Sequence, residues 1–223
     1  MKHLLTLLFL LAPILGASGQ DPIKKPTLKK AQTEVKKSNG AKDGSHYKGH
    51  AYVDLGLSVK WATCNIGANK PEEYGDYFAW RETQTKSSYT PETSKTFGVM
   101  GSTAEGPYSS YDAAQAKWGG SWRLPLEKEQ QELIDNCTWT WTIRGGHNGY
   151  KVTSKKNGNS IFLPAAGGKS ETTTLGEGSQ GFYWNITFSN STFDGSGLEF
   201  EQDTIHVSYT RRFYGLTIRP VTD

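Results

Sequence analysis

Two cysteines, five histidines and seven tryptophans are the residues of this 223-residue chain with the most distinctive chemistry. Cys64 and Cys137 form an even set, and in an oxidising compartment an even count favours a disulfide. A Cys64–Cys137 bridge would close a long loop and contribute about 4 kcal/mol in the chain-entropy description. The alternatives are two buried free thiols, or a reactive thiol that needs a site stabilising the thiolate. Cys137 falls at the C-terminal end of an expected helix, away from the positive end of its dipole, which speaks against a nucleophile there. His3, His46, His50, His147 and His206 show neither helix-face nor cysteine-paired zinc spacing. The chain carries no Gly-x-Ser-x-Gly elbow, no phosphate-binding loop and no paired-acid motif assignable to one cleft. These residues point to binding rather than to catalysis.

Aromatic residues make up 12% of the chain. Exposed Trp and Tyr side chains stack on sugar rings and anchor protein partners at low entropic cost. Trp80, Trp118, Trp139, Trp141, Tyr183 and Trp184 are the candidate ligand-binding residues, in competition with a role in the core. Trp118, within Lys117-Trp-Gly-Gly-Ser, has the most exposed setting.

The elements that must position these side chains are short. Val53, Leu55, Leu57, Val59 and Trp61 alternate, which predicts a half-buried strand or a hairpin bent at Gly56. Tyr74–Trp80 reads as an aromatic strand after an Asn65–Pro71 turn. The stretch 81–120 is too long for an ordinary loop and predicts an excursion with a short helix over Ser110–Lys117. A helix follows Trp122-Arg-Leu-Pro, with Pro125 in its first turn and Glu127 and Glu129 near the positive dipole end. Leu126, Gln130, Leu133 and Cys137 share its inward face. Trp139 and Trp141 alternate with threonines, and a hairpin turns at Lys156-Asn-Gly-Asn. Further short strands are expected near 181–188, 197–201, 204–208 and 215–221.

The N-terminus reads as an export signal over residues 1–19: Lys2 and His3, an apolar run from Leu4 to Leu15, then Ala17-Ser-Gly. That run is too short to span a bilayer, and a mean hydropathy of −0.61 excludes a helical membrane bundle. Residues 20–48 read as a flexible basic linker, with a transient helix over Leu28–Lys37. Between Asp21 and Lys48 there are eight lysines and three acids, whereas Gly49–Asp223 holds sixteen basic and nineteen acidic residues. The domain itself therefore lacks the basic stripe of a nucleic-acid binder, and the lysine pairs fit a solvated tether or weak attraction to an anionic cell surface.

Six segments form a recognisable series: Val53-Asp-Leu-Gly-Leu-Ser-Val-Lys-Trp-Ala-Thr-Cys-Asn, Tyr74-Gly-Asp-Tyr-Phe-Ala-Trp, Trp122-Arg-Leu-Pro, Ile161-Phe-Leu-Pro-Ala-Ala-Gly, Gly181-Phe-Tyr-Trp and Arg219-Pro-Val. In that order they resemble the major paralogous domain proteins first noted in Fibrobacter and abundant among secreted proteins of Bacteroides-like gut bacteria. The resemblance covers about residues 50–221. The Arg-Leu-Pro helix start and the closing Ile-Arg-Pro-Val strand also resemble the formylglycine-generating-enzyme branch of the C-type-lectin-like fold. This implies an α+β domain over 49–223: a small twisted antiparallel sheet, one or two helices and long loops. The family usually has Thr after Leu-Pro, and here Leu126 removes that hydroxyl. The enzymes of that branch use cysteines in the C-terminal half, and no cysteine follows Cys137, so their activity does not transfer.

No cofactor motif is present. Calcium is the ion the resemblance leaves open, since such folds hold it through loop carbonyls and carboxylates; Asp194, Glu199, Glu201 and Asp203 are the late-chain acids, although the sugar-binding tripeptides Glu-Pro-Asn and Gln-Pro-Asp are absent. The expected function is a secreted, periplasmic or surface-exposed non-catalytic module that binds a glycan or a protein partner. The alternatives are an enzyme of unknown type on the same scaffold and a structural cell-surface component. No nucleic-acid partner and no transmembrane segment are expected, and the sequence leaves the oligomeric state open.

Overall fold

The computed structural model describes residues 45–99 and 108–223. The expected export signal, the linker up to residue 44 and the helix over Leu28–Lys37 lie outside the described residues.

Strands β1 (Ser45–Tyr47) and β2 (His50–Val53) pair antiparallel across Lys48-Gly49. Both turn residues have positive φ, 51° and 82°, the requirement of a two-residue type I′ turn. The fold therefore reaches back beyond Gly49 to Ser45. β2 pairs with β3 (Lys60–Ala62); Leu55 and Val59 of the connection and Trp61 of β3 are buried. The alternating stretch is thus a hairpin bent at Gly56, whose φ is 68°.

Helix α1 (Ala113–Trp118) starts at Asp112. The buried Asp112 carboxylate accepts from the Ala114 and Gln115 amides at 2.9 and 3.0 Å, and from the Leu124 amide at 2.9 Å. It therefore caps one helix and fixes the approach to the next. Helix α2 (Glu127–Asn136) begins two residues after Pro125, not at it. Leu126 offers no cap hydroxyl. Glu129 instead accepts from the Leu126 amide at 2.7 Å, and Thr187 Oγ1 accepts from the Glu127 amide at 2.9 Å. Gln130, Leu133 and Cys137 are buried as the spacing predicts. Glu129 is buried too, at 4% exposure, because it forms a two-pronged ion pair with Arg123 at 2.7 and 2.8 Å.

Three antiparallel strands follow: β4 (Cys137–Arg144), β5 (His147–Ser154) and β6 (Ser160–Pro164). A small hairpin of β7 (Gly168–Ser170) and β8 (Thr173–Leu175) leads to a third sheet. That sheet comprises β9 (Gln180–Trp184), β10 (Asp194–Glu201) and β11 (Thr204–Arg211), in the order β11-β10-β9. Finally β12 (Val221–Thr222) pairs with β3 and completes the sheet β1-β2-β3-β12. The domain is α+β, with two α-helices among the described residues and every named strand pair antiparallel.

The stretch from Gly215 to Val221 ties the layers together. Gly215 bridges Lys169, Leu216 bridges Phe78, Thr217 bridges Tyr183 and Val221 bridges Arg123. Tyr74–Trp80 is correspondingly not a strand of a sheet: it contributes the single bridge at Phe78, and the Asp76 and Trp80 amides donate to the Ile66 and Arg212 carbonyls. One apolar cluster contains Trp61, Leu133, Val152, Leu163, Tyr183 and Phe200; a second contains Phe78, Trp80, Leu124, Trp184 and Ile218. Among the described residues no helix is long and apolar enough to cross a membrane.

Candidate ligand-binding cleft

The first hairpin, the loop after β3 and the end of α1 enclose an open cleft of about 440 Å³. Its lining comprises His46, His50 and Ala51 of the hairpin, Thr63, Cys64 and Asn69 of the loop after β3, and Trp118 at the end of α1. The cleft lies within the 300–1,000 Å³ range of small-molecule sites.

The aromatic wall is built by local sequence. α1 stops at Trp118 because Gly119 and Gly120 both take positive φ, 67° and 62°. A side chain at Gly120 would run into the Tyr47 ring, with Cζ 2.8 Å from the added carbon. The close approach lets the Trp122 indole N–H donate to the Tyr47 carbonyl at 3.0 Å, while the Ser121 amide donates to the Tyr47 hydroxyl at 3.1 Å. The hairpin is thereby locked onto the 118–122 turn. His50 lies flat on Trp118, with ring centroids 3.8 Å apart and planes 9° apart. Trp122 meets Trp118 edge-on at 5.1 Å. Both members of the stack are only partly buried. Burial nevertheless pushes the His50 pKa below its ordinary value, favouring a neutral imidazole.

The floor is held by a buried cation. The Arg219 guanidinium, 1% exposed, donates to Asn65 Oδ1 at 2.8 Å and to the Ala62 carbonyl at 3.2 Å, flanking Thr63 and Cys64. The Asn65 amide in turn donates to the Tyr74 carbonyl at 2.9 Å, and Thr63 Oγ1 to the Ala51 carbonyl at 3.2 Å. Desolvation lowers the Arg219 pKa, and its Nη2 is buried without a hydrogen-bond partner. The loop thus carries its side chains on a rigid support, a condition for low-cost binding.

The six aromatic candidates separate. Only Trp118 lines the cleft. Trp80 and Trp184 are 0% exposed, and their indole N–H groups donate to the Asn185 and Phe78 carbonyls at 2.9 and 2.8 Å. Tyr183 is buried and donates to the Pro164 carbonyl at 2.6 Å, and burial pushes its phenol up to about 12. These three are core residues, because each buried polar tip has found a carbonyl. Trp139 and Trp141 are partly buried and set their edges against Tyr150, with centroids 5.4 and 5.0 Å away. They pack against the first apolar cluster and are not part of the cleft lining.

The predicted disulfide is not formed. Cys64 and Cys137 are both free. Cys64 sits at the cleft with Thr63 Oγ1 3.5 Å from its sulfur, whereas Cys137 is packed in the first apolar cluster, where burial pushes its thiol up to about 11. The late acids do not converge either. Asp194 pairs with Arg211 at 2.9 Å at one end of β10, Glu199 accepts from Ser208 Oγ at 2.7 Å, and Glu201 and Asp203 belong to the far turn. Among the described residues no group of three His, Cys, Asp or Glu side chains is arranged to hold a metal ion.

His46, His50, Thr63 and Asn69 escape a reading by motif. Their local signals are the Lys48-Gly49 turn and the β2–β3 hairpin, which brings 46–51 beside 63–69, whereas the arrival of Trp118 is a long-range event. No protein-family model, curated protein or solved structure matches this chain.

Proposed function

We propose that this protein is an exported, C-type-lectin-like binding module whose cleft beside His50 and Trp118 seats one sugar residue of a glycan. The observation that carries this reading is the indole of Trp118, partly buried at a cleft whose other side chains are small or polar. A pyranose presents an apolar C–H face and a rim of hydroxyls. The first suits an indole edge or face, and the second suits the imidazoles of His46 and His50, the Thr63 hydroxyl and the Asn69 amide. Cys64, the thiol of the lining, has the Thr63 hydroxyl beside its sulfur at 3.5 Å, an arrangement that favours binding over turnover. The lectin-like assignment is supported by the motif series, by the antiparallel sheets with two helices, and by the long excursion after Trp80.

A glycan-array screen of the full chain, followed by calorimetric titration of the best hits, tests the reading. Binding in the micromolar to millimolar range, lost in Trp118→Ala and kept in Trp139→Ala, is the expected result. A glycan bound equally well by both variants would place the site elsewhere.

A further inference from the structure

A sheet edge is a row of N–H and C=O groups open to another strand. Among the described residues most edges of this domain are short or covered. β1, β7, β8 and β12 have three residues or fewer. β9 is bridged along its edge, Gly181 to Gly167 and Tyr183 to Thr217. β6 is buried from Ile161 to Pro164. β11 is long, but the side chains of His206 and Arg211 are each 51% exposed on it, and its Tyr209 donates to Glu127 of α2 at 3.1 Å. Charged side chains on an edge oppose pairing.

β4 has none of these protections. Its eight residues keep one unbroken register with β5, without a bulge. Cys137–Ile143 contains no charged residue, no proline and no glycine, and its Thr, Trp and Ile all favour strands. Gly145 and Gly146 close the β4–β5 hairpin with φ of 54° and 87°, a two-residue type I′ turn. Such a turn makes Arg144 and His147 a hydrogen-bonded pair, so the even-numbered residues of β4 bond β5. The Lys155 amide donating to the Asn136 carbonyl at 3.0 Å sets the same phase at the other end. The N–H and C=O groups of Trp139, Trp141 and Ile143 therefore point away from β5. No backbone hydrogen bond or bridge among the described residues engages them there. Thr138, Thr140 and Ile143 are exposed.

We infer that this edge binds the same edge of a second copy, joining two three-stranded sheets into one of six strands. Thr138-Trp-Thr-Trp-Thr142 reads the same in both directions. A two-fold axis through Thr140 sets Trp139 opposite Trp141 of the other copy as hydrogen-bonded pairs, and Thr138 opposite Thr142. A strand from an unrelated protein would not need this symmetry. The charges agree. None lies between 137 and 143, so no like charges meet along the seam. At each end Arg144, paired with Glu72 at 3.1 Å, falls opposite Asn136 of the other copy. Beside Asn136 are Asp135 and Lys155, whose Nζ donates to the Asp135 carbonyl at 2.8 Å, so each end carries two charges of each sign. Lys151 faces Thr140 from β5, three strand spacings, about 14 Å, from its counterpart. That exceeds the screening length of about 8 Å at physiological salt.

The test is sedimentation velocity of the full chain over a wide concentration range. An edge contact of this size belongs to the weak, transient class, so a reversible monomer–dimer equilibrium is expected. Thr140→Lys sets two ammonium groups face to face at the axis and should weaken the dimer about fivefold or more. Thr140 is exposed, so the circular dichroism spectrum should stay unchanged. A second measurement reads the register. In a Cys64→Ser background, Thr140→Cys should give a disulfide-linked dimer on oxidation, because a non-hydrogen-bonded pair brings the two Cα atoms to about 4.5 Å. Thr204→Cys, exposed on β11, should not. A monomer at every concentration would overturn the inference, whatever else covers the edge. So would a dimer indifferent to Thr140→Lys, or one in which Thr140→Cys links no faster than Thr204→Cys. Should Thr140→Lys alter the circular dichroism spectrum, the comparison of the two cysteine variants decides alone.

Discussion

The imidazole of His50 rests on the indole of Trp118 at a centroid distance of 3.8 Å, joining the first hairpin to the end of α1. The two residues are far apart in sequence and shape one wall of the cleft together. Because the stack depends on the Lys48-Gly49 turn on one side and the Gly119-Gly120 stop on the other, it couples hairpin stability to ligand binding.

That coupling is measurable by a double-variant cycle. His50→Ala and Trp118→Ala should each destabilise the domain. Their combination should fall short of the sum by about 1 kcal/mol, the scale of an aromatic pair. Chemical denaturation of the four proteins checks this; additive effects would mean the stack contributes nothing beyond burial.

The stack also makes stability depend on pH. Burial lowers the folded-state pKa of His50, so between the unfolded and folded values the unfolded chain binds more protons. The contribution is fully present above the unfolded value of about 6.5 and is lost as pH falls through the folded one. The melting temperature should therefore drop as pH is lowered from about 7.5 toward 5.5, and His50→Gln should flatten this slope. An NMR titration placing the His50 midpoint above about 6.5 would reverse the sign.

Both thiols should be titratable without reductant. In denaturant two thiols per chain should react with a chromogenic disulfide reagent. In the native protein Cys64 should react, while Cys137, buried and with its thiol pushed up to about 11, should stay silent until unfolding. No reactive thiol in denaturant would restore the bridge.

The Arg123–Glu129 pair is the principal buried ion pair at the start of α2. Glu129→Ala removes the carboxylate that faces Arg123 and accepts from the Leu126 amide, and should lower stability by about 3 kcal/mol. Glu129→Gln keeps an acceptor and should lose less. Equal effects in the two variants would show that the charge, not the cap, dominates.

Periodicity made the sheets and helices readable. The Trp139/Trp141 alternation, the β5–β6 hairpin and the Gln130–Leu133–Cys137 face follow from local spacing. Side-chain type alone could not separate Trp118 from Trp80 and Trp184, since burial depends on which carbonyl each indole reaches. Glu129 was readable as a charge favouring the helix start, but its burial needs Arg123. The pattern that suggests a strand at Tyr74–Trp80 reflects burial against Leu216, contributed by a segment far away in the chain. An even cysteine count could not show that Cys64 and Cys137 face a cleft and a core, respectively.

Ligand contact at Trp118 is read by a ¹⁵N–¹H spectrum of the indole N–H groups during titration with an oligosaccharide drawn from the glycan screen. The seven tryptophans give at most seven such signals, and Trp118→Phe assigns the decisive one. The Trp118 signal should shift progressively with ligand, while those of the buried Trp61, Trp80 and Trp184 stay in place. A bound glycan that leaves the Trp118 signal unmoved would contradict the assignment of this cleft as the binding site.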